Sequence, residues 1–210
     1  MASAETFLNP RKKPRQARAR ATVSAILQAG AHILEEQGLQ GFTTNAVAQR
    51  AGVSIGSLYQ YFPAREALLA ALIRQKRKTL LGALQTASAQ SEGQDLTCVL
   101  RALIRAGTAH WQQRPALVRS LSYAEATLPM EEETRALKRA ILQVVSQALA
   151  NHAVPRPAEA ARDLSALTYG MTDATGVFGP TEVSTLETRI LRAAQGYLGM
   201  AEGQSSLRNR

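Results

Sequence analysis

Thr43-Thr-Asn-Ala-Val-Ala-Gln-Arg-Ala-Gly-Val-Ser-Ile-Gly-Ser-Leu-Tyr-Gln-Tyr-Phe-Pro63 reads as two short helices around a tight turn. Thr43 stands where an N-cap belongs, its hydroxyl available to an orphan amide of the helix 44–51. Gly52 permits the positive φ that the turn needs. Val53 and Leu58 are apolar plugs that hold the second helix, Ser54 to Tyr61, against Val47 and the preceding long helix. Ala48 is small where the two helices cross. Ser54, Gly56, Ser57, Tyr59, Gln60 and Tyr61 are left for the outer face or its edges. Gly56 costs a helix about 1 kcal/mol relative to Ala, which points to something approaching the backbone there. Short hydroxyls, an amide and two phenols suit phosphates and base edges in a major groove.

Working outward, the rest of the chain also reads as helix. Val23, Ile26, Leu27, Gly30, Ile33 and Leu34 fall on one face of a helix over about 15–37, stopped by Gly38. Downstream, Phe62-Pro63 breaks the second motif helix, and a long amphipathic helix follows over about 65–89. Further helices are expected at about 95–111, 115–126, 131–152, 157–177 and 183–199, separated by Pro115, Pro129 and the Pro155/Pro157 pair. Pro129 and Glu131, Glu132 and Glu133 suit a helix start, where negative charge meets the positive end of the dipole. No stretch alternates with period 2. An all-α fold of about nine helices is expected.

The charge is unevenly placed. The chain has 210 residues and a formal net charge of +9, with 25 Lys and Arg against 16 Asp and Glu. Residues 1–78 hold 12 of the basic residues and 4 of the acids, so almost all the excess lies in the first third. A basic segment joined to a near-neutral one points to a polyanion-binding module attached to a body with another task. One cysteine, Cys98, excludes an internal disulfide and Cys-based zinc sites. Apolar runs are too short for a transmembrane helix, and the Arg/Lys-rich start lacks the apolar region of a secretory signal. A cytoplasmic protein without a membrane partner is expected.

The stretch from Thr43 to Leu69, with the helix ending Glu-Glu-Gln-Gly38 before it, resembles the DNA-binding signature of the TetR family of bacterial transcriptional regulators. The resemblance covers about residues 15–72; beyond them only length and helix count match. It implies a basic arm at 1–14, a helix-turn-helix DNA-binding domain at 15–64, a ligand-binding and dimerisation domain at 65–200 and a tail at 201–210. Thr43 and Thr44 fall at the start of the family's second helix, which contacts phosphate. Ser54, Gly56, Ser57, Tyr59, Gln60 and Tyr61 fall on its recognition helix, and Arg65 where a cation grips the DNA backbone. Ala64 departs from the family's Ser, Asn or Asp cap. The arm carries Arg11, Lys12, Lys13, Arg15, Arg18 and Arg20, which suit either the DNA backbone and minor groove or a solubility tail.

In the body, Ala160, Leu164, Leu167, Met171, Ala174 and Phe178 form one apolar stripe at helical spacing, and Val183, Leu186, Ile190, Ala193 and Tyr197 a second. Such stripes serve an intramolecular core or a bundle between subunits. The resemblance favours a homodimer interface through Leu164, Leu167, Met171, Ala174, Phe178, Leu186, Ile190 and Tyr197. For an organic effector, Trp111, Tyr123 and Tyr169 with Arg105, His110 and Met171 are the candidate pocket residues. No cofactor or metal is expected. The three His are scattered, without metal-ligand spacing, a nucleophile elbow or a phosphate loop, so an enzyme is not expected. The expectation is a homodimeric regulator, a repressor released from a palindromic operator by a small molecule. The alternative is an effector-independent architectural DNA-binding dimer.

Overall fold

A computed structural model describes residues 8–10, 17–178 and 183–200 of the chain. Among them are nine helices and no strand: α1 (Ala17–Gly41), α2 (Thr44–Ala51), α3 (Ile55–Tyr61), α4 (Arg65–Gln90), α5 (Leu96–Gln113), α6 (Pro115–Thr127), α7 (Glu131–Ala150), α8 (Pro157–Phe178) and α9 (Val183–Tyr197). The all-α expectation holds. α1 runs past its expected stop. Gly38 leaves helical geometry at φ 63, ψ −162, and a final turn to Gly41 follows this kink. Most of the basic arm, including Arg11, Lys12, Lys13 and Arg15, and the tail 201–210 lie outside the described residues.

The chain forms two compact units. The first comprises residues up to Thr79 with Gln113–Thr134, the second Leu80–Gln112 with Arg135 onward. The boundary falls inside α4, whereas the sequence expectation sets it at Arg65. The first unit also takes in α6, which packs on α1. Its core gathers Ile26, Ile33 and Leu34 of α1, Val47 of α2, Leu58 of α3, Leu68 and Ile73 of α4, and Leu117 and Leu121 of α6 around Phe42 and Phe62. Both rings have no exposed surface, and burying each is worth about 1.5–3 kcal/mol. Leu8 belongs to this core as well, 4% exposed, with its carbonyl accepting from Arg74 Nη1 at 2.8 Å.

Ion pairs set the edges of the first unit. Arg114, preceding Pro115 at the start of α6, donates from Nε and Nη2 to the two carboxylate oxygens of Glu35 of α1 at 2.5 and 2.6 Å. That bond holds the Glu35 carboxyl below the usual range. Arg50 of α2 pairs with Glu36 of α1 in the same two-pronged way, at 2.5 and 2.6 Å. On the other side, Arg74, Lys76 and Arg77 of α4 meet Glu125 of α6 and Glu133 of α7. Burial raises the Glu125 carboxyl, but bonds and charge from Arg77 and Lys76 outweigh it and leave the group below its ordinary value.

The second unit packs α5, α7, α8 and α9 through Leu100, Ile104, Val145, Leu149, Leu164, Leu186 and Ile190. No helix among the described residues is long and apolar enough to cross a membrane.

Candidate nucleic-acid interface

The α2–α3 hairpin is built by its caps. Thr43 Oγ1 accepts from the Ala46 amide at 3.1 Å, and Gly52 closes α2 at φ 67, ψ 29. Around Gly52 the Val53 amide reaches Ala48 O at 3.1 Å and the Gly52 amide Gln49 O at 3.2 Å, the paired bonds of a Schellman turn. Ser54 then caps α3, its Oγ accepting from the Ser57 amide at 3.0 Å and lying 2.8 Å from Ser57 Oγ. Leu58, Val47 and Ala48 are buried, and Val53 packs against them at the edge. The plugs are those expected from the sequence.

What α3 turns outward differs in detail from the expected face. Ser54, Gly56, Tyr59 and Gln60 are exposed, while Ser57 is half-buried. Tyr61 is half-buried and packs against the core of the first unit. Thr44 Oγ1 lies 3.1 Å from Tyr59 Oη, so the start of α2 holds the ring on α3. Gly56 has no tight neighbour: a methyl there would meet only Ser54 Oγ, at 3.9 Å. Nothing in the chain's own packing requires glycine at this place.

Arg65 sits among unexpected partners. Its Nε donates to Phe42 O at 2.7 Å and its Nη2 to Leu39 O at 2.8 Å, with the guanidinium 5.7 Å from the Phe42 ring centre. The side chain thus satisfies carbonyls at the end of α1 that no helical amide reaches, and ties that end to the start of α4. Ile55, between Ser54 and Gly56, is not among the residues expected on this face, yet it is 38% exposed. The signal was its spacing: Ile55 lies four residues before Tyr59, on the same helical face.

The residues expected around an effector lie on α5, α6 and α8. Tyr123 belongs to the first unit and is 69% exposed; Tyr169 belongs to the second and is 61% exposed. Arg105 is exposed and pairs with Glu187 of α9 at 3.4 Å, while Trp111 and Met171 are half-buried. The side chain of His110 lies outside the described residues. Two cavities are described, and none of these six residues lines either. One, of about 170 Å³, lies in the second unit beside Val154, Arg156, Glu159 and Tyr197. The other, of about 300 Å³, lies in the first beside Ile33, Gln37, Ala46 and Arg50.

The expected dimer stripe is likewise divided. Leu164, Leu186 and Ile190 are buried in the second unit's own core, and Leu167 and Met171 pack partly against it. Ala174 is half-buried, the Phe178 side chain lies outside the described residues, and Tyr197 is 46% exposed with its hydroxyl donating to Asp163 at 2.5 Å. The period of the stripes marked intramolecular contact for three of the eight residues.

Residues 26–72, which hold this hairpin and its supports, match the model of the bacterial regulatory proteins of the tetR family. The likeness to that family lies in this N-terminal segment. The nucleoid occlusion factor SlmA of Haemophilus ducreyi is 47% identical over 45 residues, which is 21% of this chain and 22% of SlmA. The chain spans under half the length of the curated SlmA relatives it matches. Solved structures share the fold over most of the chain. The TetR-family regulator PfmR from Thermus thermophilus shares it at a TM-score of 0.64 and 22% identity, over 85% of this chain and 99% of PfmR. A complex of SmeT with triclosan shares it at a TM-score of 0.63 and 22% identity, over 84% of this chain and 91% of SmeT.

Proposed function

We propose that the chain is a transcriptional regulator, a repressor that binds a palindromic operator as a homodimer and leaves it when a small organic effector binds. The observation that carries the reading is the outward face of α3. Ile55, Gly56, Tyr59 and Gln60 are exposed there, and Gly56 has no in-chain reason to be glycine. A double-stranded DNA groove supplies the missing neighbour, since it admits a helix and demands close approach of its backbone. Thr43, Thr44, Ser54, Ser57 and Tyr61 support or flank that face. The basic excess of residues 1–78 supplies the counter-charge for phosphate.

One α3 reads only a few base pairs. Two copies related by a two-fold read half-sites about one helical turn apart, and the exposed sides of α8 and α9 are the surfaces for that pairing. Ala166 and Gly170 are exposed on α8, and a methyl at Gly170 would meet nothing within 4 Å. Effector control is supported by likeness to SmeT, which was solved with triclosan. α4 passes unbroken from the first unit into the second, so a ligand in the body can act on the reading head through it. Such a ligand changes DNA affinity only by its differential affinity for the two arrangements. The site of action would be the bacterial nucleoid in the cytoplasm.

A second reading, an architectural DNA-binding dimer without an effector, is favoured by the SlmA relatives, named as nucleoid occlusion factors. Selection of bound duplexes from a random pool at physiological salt, with sizing of the complex, tests both. A palindromic consensus bound by a dimer, lost in Gln60→Ala, supports the regulator. Salt-sensitive binding without a consensus supports the architectural protein.

A further inference from the structure

The outward surface of α3 has two rows, each with residues four apart: Ile55 with Tyr59, and Gly56 with Gln60. Gly56 contributes no side chain, and Ser54 and Ser57 bond to one another at 2.8 Å. Tyr59 is held at its hydroxyl by Thr44. In the first turn, the large group offered outward is therefore the sec-butyl side chain of Ile55, 38% exposed in a face otherwise made of polar and small residues. Ile55 is also absent from the apolar residues that pack at the edge of the first unit's core. A branched hydrocarbon exposed in a basic module, on a face whose other groups are polar or small, is suited to an apolar patch on a polyanion. In duplex DNA the major groove offers one such group on its floor, the thymine C5-methyl.

We propose that Ile55 is a specificity residue that recognises a thymine methyl in each half-site. With Gln60, whose amide suits the paired acceptor and donor of adenine, it would direct the protein to A·T-containing half-sites. This rests on the DNA-binding reading above. The contact forms no hydrogen bond; its free energy comes from removing the methyl and the sec-butyl group from water.

The test uses the full-length protein and the consensus selected from a random duplex pool. Each thymidine of the half-site is replaced in turn by deoxyuridine, which removes the C5-methyl and keeps base pairing. At one thymidine per half-site the wild type is expected to bind about fourfold more weakly after replacement, the equivalent of one buried methyl group. Ile55→Ala is expected to melt like the wild type, bind the thymidine duplex more weakly, and show no difference between thymidine and deoxyuridine at that position. Ile55→Val, which keeps the branch, is expected to retain part of the difference. Insensitivity of the wild type at every thymidine overturns the proposal, as does undiminished sensitivity in Ile55→Ala. A pool that yields no consensus overturns the proposal together with the sequence-specific regulator reading, whereas a consensus without methyl dependence overturns Ile55 alone.

Discussion

Two glycines in the same hairpin are there for opposite reasons. Gly52 is required by the chain itself, since its φ of 67 is costly for any residue with a side chain. Gly56 has ordinary helical geometry and open space around it. Gly56→Ala is therefore expected to stabilise the first unit by about 0.5–1 kcal/mol while weakening DNA binding. Urea unfolding and operator titration read the two effects separately, and a gain in both would remove the argument for close approach at Gly56. His152 offers a second test at this scale. Its Nδ1 lies 2.9 Å from Ala148 O and its Nε2 2.8 Å from Gln94 O. A neutral imidazole has one N–H and can serve only one carbonyl, so the pair, Gln94 foremost, raises the His152 pKa above the ordinary 6.5, with a smaller push from Asp95. A raised folded pKa stabilises fully below about 6.5, and that contribution is lost as pH rises through the raised value. His152→Gln is expected to flatten this part of the stability profile of the second unit, measured by unfolding between pH 5 and 9.

Among the elements, the connection of α1 to α4 has the clearest consequence. Arg65 holds Leu39 O and Phe42 O, and so fixes the turn that leads into Thr43 and α2. The sequence places a cation at the head of α4, where the resemblance implies a phosphate contact; what it does not contain is the pair of unpaired carbonyls created by the kink at Gly38. Arg65→Met removes the charge together with the planar fork that holds both carbonyls. It is expected to cost the first unit about 1.5–3 kcal/mol and to leave the dependence of DNA binding on salt unchanged. A salt slope smaller by about one phosphate contact would assign Arg65 a phosphate contact as well. Helix positions were legible because their breakers are Gly and Pro. The partners of Arg65, Arg114 and Arg50 were not, because each ion pair or carbonyl contact joins residues distant in sequence.

For the whole molecule, the proposed function requires a surface that pairs with a second copy. Leu164, Leu186 and Ile190 are buried in the second unit's own core, so the proposed pairing is tested on the exposed side of α8. Gly170→Arg is expected to convert a dimer to a monomer on sizing without lowering the melting temperature, because nothing in its own chain stands within 4 Å of an added methyl. A persisting dimer would move the interface away from α8. Loss of the dimer should also weaken operator binding far more than binding to random DNA, since only the two-fold arrangement reads both half-sites.

The sequence by itself determined the nine helices, the reading hairpin with its plugs and caps, and the sign of its charge. Those properties follow from local spacing, from turn chemistry and from composition, which need no knowledge of distant neighbours. The face of each helix that stays exposed was settled only by the tertiary structure. An apolar stripe has the same period whether it meets its own chain or another, so Ile190 and Ile55 look alike in sequence. One is wholly buried, the other is more than a third exposed, and packing alone separates them.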